Sequence, residues 1–201
     1  ASCQQKPQSE KEEVAYWNTT ILDTVYSELH KNADTTVALH LFDSALEEAP
    51  FQTPFIKAAR FDVLSNYYYF YTPDNAATAR MVDSALTELT LSSQSKSYPQ
   101  TQVGLLLFGG NIAYRLQQYN KANDYYFRAK NLADTHLDPC AQKAFNYSIA
   151  MVLYRQQNFS QALHYFKEAF ALQQTCTPQT KAVLLQQQEI KSNIGLCYVQ
   201  L

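Results

Sequence analysis

The sequence predicts an all-α chain built as a solenoid of stacked helical hairpins, and three observations carry that prediction. Its 201 residues include only four glycines. That is too few for a protein full of tight β-turns or for glycine-rich nucleotide-binding loops. Alanine, leucine and glutamine are plentiful, and each favours helix. Third, the stretch FDSAL at 42–46 returns as VDSAL at 82–86. Both belong to a longer pattern, a small residue, three others, an apolar residue, two others and Ala. It occurs as Ala38, Phe42, Ala45; as Thr78, Val82, Ala85; as Ala122, Tyr126, Ala129; and as Ala162, Phe166, Ala169. The final alanines are spaced by 40, 44 and 40 residues. A repeat of that size marks a stack of equivalent units.

Bulk composition agrees with a folded, water-facing chain. Hydrophobic residues make up 46% and charged residues 17%, outside the range of disordered segments. The net charge of −2 is mixed along the chain and forms no basic stripe, which argues against a nucleic-acid partner. No run of about 18 apolar residues exists. The strongest apolar stretch, VGLLLFGG at 103–110, reads as a buried helix face.

Taken in order, residues 1–12 read as a flexible tether. The opening ASCQQKP resembles the end of a bacterial lipoprotein signal peptide, in which cleavage precedes a lipidated Cys. That resemblance implies export and a lipid on Cys3. Ser9 and Glu12 have the spacing of a capping box and are expected to start the first helix. Helical units are then expected at about 13–50, 54–95, 99–137, 139–176 and 179–201, the last incomplete. Prolines at 50, 54, 99, 139 and 178 punctuate the boundaries, since Pro suits a helix start and not its interior. TPDN at 72–75 reads as the turn inside the second unit. The final strip, Ile194, Leu196, Cys197, Val199 and Leu201, is apolar, where a solenoid cap should be polar. A natural protein that continues is expected.

About 19 residues upstream of each final Ala stand Tyr26, Asn66, Gly110 and Ala150, with Gly195 in the fifth unit. Two antiparallel helices approach closely when one is small where the other is large. The stretches LQQYNKANDYYFRA (116–129) and RQQNFSQALHYFKEA (155–169) resemble the tetratricopeptide repeat family. Its small residue, turn aromatic, Ala, aromatic and Ala fall on Gly110, Tyr119, Ala122, Tyr126 and Ala129. In the next unit they fall on Ala150, Phe159, Ala162, Phe166 and Ala169. The resemblance covers most of 13–201, is weakest in unit two, and involves units longer than the usual length of about 34 residues. It implies a right-handed α-α solenoid whose first helices line a concave groove for a protein or peptide partner. Carried over position by position, that groove comprises Arg60, Tyr67 and Tyr71; Asn111, Tyr114 and Arg115; and Tyr147, Met151, Tyr154 and Arg155. The dipeptide YR recurs at 114–115 and 154–155, so Tyr is expected beside Tyr and Arg beside Arg. Tyr and Arg are frequent binding hot spots; tyrosines that merely pack between helices are the alternative. The family's clamp for C-terminal carboxylates is not expected, because its Lys positions hold Asp23, Val63, Leu107 and Tyr147.

Chemistry is sparse. The chain has no HExxH, GxSxG, P-loop or GxGxxG, and its four histidines are scattered, so no enzyme activity, cofactor or metal site is expected. Cys140 and Cys176 lie near the two ends of one expected hairpin. A disulfide there would add roughly 3–4 kcal/mol in an oxidising compartment; two unpaired thiols are the alternative. Cys197 is expected to be a small buried residue. Together, the lipoprotein-like start, the long repeats and the apolar end resemble the extracytoplasmic region of Bacteroidetes-type membrane sensor kinases and regulators. That resemblance implies a sensing or signal-relay module, exported and held at the envelope by a lipid or a downstream transmembrane helix, with homodimerisation compatible. The alternatives are a free-standing lipoprotein scaffold that recruits envelope proteins and a cytoplasmic adaptor.

Overall fold

A computed structural model describes residues 7–32, 35–90, 98–136, 142–176 and 180–201. All regular elements among them are helical, and they fall into two compact units, 1–98 and 99–201.

The first unit opens with α1 (Glu10–Tyr16), a wide turn (Trp17–Ile21) and α2 (Leu22–Asn32), which run on as one rod. Ser9 caps its start: Oγ accepts the Glu12 amide at 3.3 Å. The Glu12 carboxylate reaches back to the Gln8 amide at 2.8 Å, one residue earlier than a standard capping box would place it. The wide turn is a π-type turn, in which the Leu22 amide bonds the Trp17 carbonyl. It inserts one extra residue. Buried positions therefore step from Glu13 to Trp17, then by five to Leu22, then on to Val25 and Leu29. With only 3.6 residues per turn, Leu22 would rotate away from the core.

α3 (Thr35–Glu48), α4 (Pro54–Phe70) and α5 (Asn75–Thr90) complete this unit. Thr53 caps α4 by accepting the Ile56 amide at 3.3 Å, with Pro54 at the first helical position. Asp74 caps α5 by accepting the Ala77 amide at 2.9 Å, so the turn expected at 72–75 joins α4 to α5. The core centres on Trp17, Phe42, Phe55, Ile56 and Val63. Trp17 meets Phe42 edge-on, with ring centroids 4.8 Å apart.

The second unit contains α6 (Pro99–Arg115), α7 (Tyr119–His136), α8 (Gln142–Arg155), α9 (Phe159–Cys176) and α10 (Lys181–Gln200). α6 packs on α7, α8 on α7 and α9, and α10 on α9. Both hairpin turns are built alike. The Gln117 and Gln118 amides return to the carbonyls of Tyr114 and Ala113; the Gln157 and Asn158 amides return to those of Tyr154 and Leu153. The first amide of each pair belongs to a glutamine in the left-handed region, Gln117 at φ 59° and Gln157 at φ 62°. This is the double bond pattern that closes helix ends.

The alternating small and apolar positions read from the sequence fill the interior. All twelve are buried except Ala45, which is half-buried. Gly110 shows why size matters. A Cβ there would overlap the Tyr126 ring, lying 2.7 Å from Cδ1 and 2.9 Å from Cζ. A Cβ on Gly195 would meet open space. Cys197 is buried, and burial pushes its thiol pKa up. Cys3 and Cys140 fall outside the described residues, and with Cys140 so does the Cys140–Cys176 pairing. No helix among the described residues is long and apolar enough to cross a membrane.

Candidate functional site

In the second unit, the residues expected on one wall form a hydrogen-bonded ladder. Tyr114 near the end of α6 is half-buried, its ring tilted on Tyr119 of the turn at 5.7 Å. Forty residues later Tyr154 repeats the contact with Phe159 at 5.2 Å. Each ring therefore covers the turn aromatic, as a packing tyrosine would. The Tyr114 hydroxyl is engaged elsewhere: it accepts a bond from exposed Arg155 Nε on α8 at 3.0 Å. The contact spans 41 residues, one more than the repeat, and sets Tyr of one helix against Arg of the next. Arg115 is exposed at the end of α6.

Asn111, one turn before Arg115, is exposed and accepts the Tyr126 hydroxyl at 2.7 Å. Burial raises the Tyr126 pKa to about 12, more than its hydrogen bond to Ser148 lowers it, so the phenol remains a donor at neutral pH.

The ladder continues to α10. Tyr147 packs edge-on against Phe166 and donates to Glu189 Oε1 at 2.5 Å. Burial first, and then the Glu189 carboxylate, push the Tyr147 pKa far upward. Asn193 Nδ2 donates to the Tyr147 hydroxyl at 3.4 Å and lies 3.8 Å from the Met151 sulfur. α6, α8 and α10 therefore present a wall of phenol, amide, thioether, carboxylate and guanidinium groups. Such a surface offers broad contact area with polar ends.

In the first unit the expected residues divide. Arg60 is held by Asp43 of α3 through two bonds of 2.9 and 3.2 Å. Tyr67 and Tyr71 lie ring to ring at 6.1 Å, and the Tyr71 hydroxyl meets His30 Nδ1 of α2 at 2.8 Å. Between α2 and α4 the Tyr26 hydroxyl donates to Asp62 Oδ2 at 2.5 Å.

Sequence reading missed Glu189 and Asn193, which stand about one helical turn apart in the polar run QQQEIKSN at 186–193. It also missed an amide clamp at the turns. Gln156 Nε2 donates to Asn120 at 2.9 Å, while Gln156 Oε1 accepts from Asn123 at 2.8 Å. A cavity of about 250 Å³ lies at α8, α9 and α10, with Tyr147 and Glu189 in its wall.

Among the described residues, no cluster of His, Cys, Asp or Glu could hold a metal ion. No protein-family model matches the chain, and no curated protein matches it.

Proposed function

We propose that this chain is a non-catalytic, tetratricopeptide-like module that binds a protein or peptide partner along the α6–α8–α10 wall. The observation that carries the reading is the cross-helix ladder from Tyr114–Arg155 to Tyr147–Asn193. It aligns the same face of successive hairpins, and aligned faces let one extended ligand touch several units. Tyr and Arg on that wall supply anchors that lose little conformational freedom on binding.

Phage-displayed peptides selected on the chain test it. Selected peptides should lose roughly tenfold or more in affinity on the double variant Arg115→Ala, Arg155→Ala, with far-UV circular dichroism unchanged. Equal binding by the variant would remove the groove assignment.

The setting we propose is the extracytoplasmic sensing or signal-relay region of a membrane-bound two-component sensor kinase or regulator. The lipobox-like ASC at Cys3 equally favours a second reading, a lipoprotein scaffold that recruits envelope proteins. The gene decides between them. Continuation past Leu201 into an apolar span of about 20 residues supports the sensor; a stop codon after one further hairpin supports the scaffold.

A further inference from the structure

Arg155 is an exposed guanidinium, tied down at one nitrogen and without a carboxylate partner among the described residues. Its Nε donates to the Tyr114 hydroxyl at 3.0 Å. Its two Nη groups have no hydrogen-bond or ion-pair partner among the described residues. Two other arginines behave differently: Arg60 pairs with Asp43 at 2.9 Å, and Arg128 with Asp124 at 3.2 Å. Around Arg155 the neighbours are phenols. The hydrogen bond to Tyr114 is the first influence raising its pKa, and Tyr119 and Tyr154 add to it; no carboxylate is among them.

The result is a set of donors that lacks an acceptor. The Tyr114 hydroxyl accepts from Arg155, and its own proton has no acceptor among the described residues. That O–H and the Nη groups can only donate once the Tyr114 oxygen is occupied. An exposed ion pair made from two free side chains is worth little, because both must be ordered. A guanidinium already fixed at Nε has less freedom to lose, and its remaining fork can hold a carboxylate bidentately. Tyr119, on which Tyr114 packs, also helps to line an open recess of about 590 Å³, together with Gln117, Gln118, Asn120 and Gln156. The side-chain amides of Gln117 and Gln118 make no hydrogen bond among the described residues. Such amides both donate and accept, as a peptide backbone does.

We infer that the partner of the α6–α8–α10 wall is an extended peptide with an internal Asp or Glu, whose carboxylate docks on Arg155 and Tyr114. The inference rests on the groove reading and names the group that the groove selects. One guanidinium and one phenol match the single charge and two oxygens of a carboxylate. A polyanion is disfavoured, since the chain carries a net charge of −2 and Glu189 stands on the same wall. The amides beside Tyr119 favour a carboxylate carried on a peptide over a free small acid, because they offer partners to the flanking backbone.

The test uses the whole 201-residue chain. Peptides selected on it by phage display are aligned, then synthesised with acetylated and amidated ends so that no terminal charge contributes. Their sequences should share one acidic position. Replacing that residue by its amide should weaken binding to the native chain roughly tenfold by calorimetry. The same replacement should cost no more than about twofold on Arg155→Ala, because the group it met is gone. Tyr114→Phe removes the O–H and releases Nε, and should shrink the preference for acid over amide by about threefold or more. The peptide replacement leaves the chain untouched, so the result stays decidable if a variant does not fold. Selected peptides that need Arg115 and Arg155 but share no acidic position would overturn this inference and leave the groove standing. An equal loss on the native chain and on Arg155→Ala would do the same. Failure to select any peptide would remove both.

Discussion

Gly110 on α6 lies directly against the ring of Tyr126 on α7, so closely that no other residue type fits without moving the ring. The Tyr126 hydroxyl is fastened to Asn111, the next residue on α6, at 2.7 Å. The contact is held at both ends: the ring needs the gap, and the bond keeps the ring in it.

Gly110→Ala should therefore destabilise the chain by about 1–3 kcal/mol, the usual range for overpacking, although Ala is the better helix former. Combining it with Tyr126→Phe should recover part of that loss, because the ring then loses its tether and can shift. The corresponding residues one unit later are Ala150 and Phe166, both fully buried. A urea-denaturation double-mutant cycle reads the coupling; simple additivity of the two losses would contradict the account.

The two left-handed glutamines offer the opposite kind of change. At φ 59° and 62°, Gln117 and Gln157 carry a Cβ where Gly carries none. Gln117→Gly and Gln157→Gly should each stabilise by about 0.5–1 kcal/mol, the relief of strain exceeding the added freedom of the unfolded chain. Denaturation midpoints at constant m-value check this.

Asp62 gives a pH dependence with a definite sign. Burial raises its pKa above the ordinary carboxylate value, outweighing the stabilising hydrogen bonds from Tyr26 and Ser65. The folded chain then holds a proton that the unfolded chain releases. Asp62 accordingly weakens the fold at neutral pH, and the penalty is relieved as pH falls through the folded pKa towards the unfolded one. Wild-type stability should rise relative to Asp62→Asn as pH is lowered through the region just above the usual carboxylate range. Paired denaturation curves across that region measure the gap; a gap moving the other way would show that the donors outweigh burial.

Glu13 is 1% exposed, and its Oε1 accepts the Trp17 indole N–H at 2.8 Å. Its Oε2 has no hydrogen-bond partner among the described residues. Glu13→Ala leaves the buried indole N–H unpaired and should cost about 1–3 kcal/mol. Glu13→Gln retains an acceptor and should cost less. Tryptophan fluorescence during unfolding follows both.

The helical class and the hairpin pairing were legible because they rest on local periodicity. Ala122, Tyr126 and Ala129 recur forty residues on as Ala162, Phe166 and Ala169, and all six are buried in the structure. Helix starts were similarly legible at Ser9 and at Pro54, where short-range capping chemistry decides. The π-type turn at Trp17 was not. It depends on where the core lies on either side of the rod, and no short motif records that.

Residue types on the candidate wall were likewise readable, but their partners were not. Recurrence along the chain is enough to put Tyr followed by Arg at the ends of both α6 and α8, forty residues apart. Three-dimensional packing was needed to show that Tyr114 meets Arg155, and that Tyr147 meets Glu189 and Asn193 across to α10. The difference is one of range. Periodicity governs which face of a helix turns inward, within a few residues, whereas the axial offset between helices comes from the summed packing of side chains far apart in the chain.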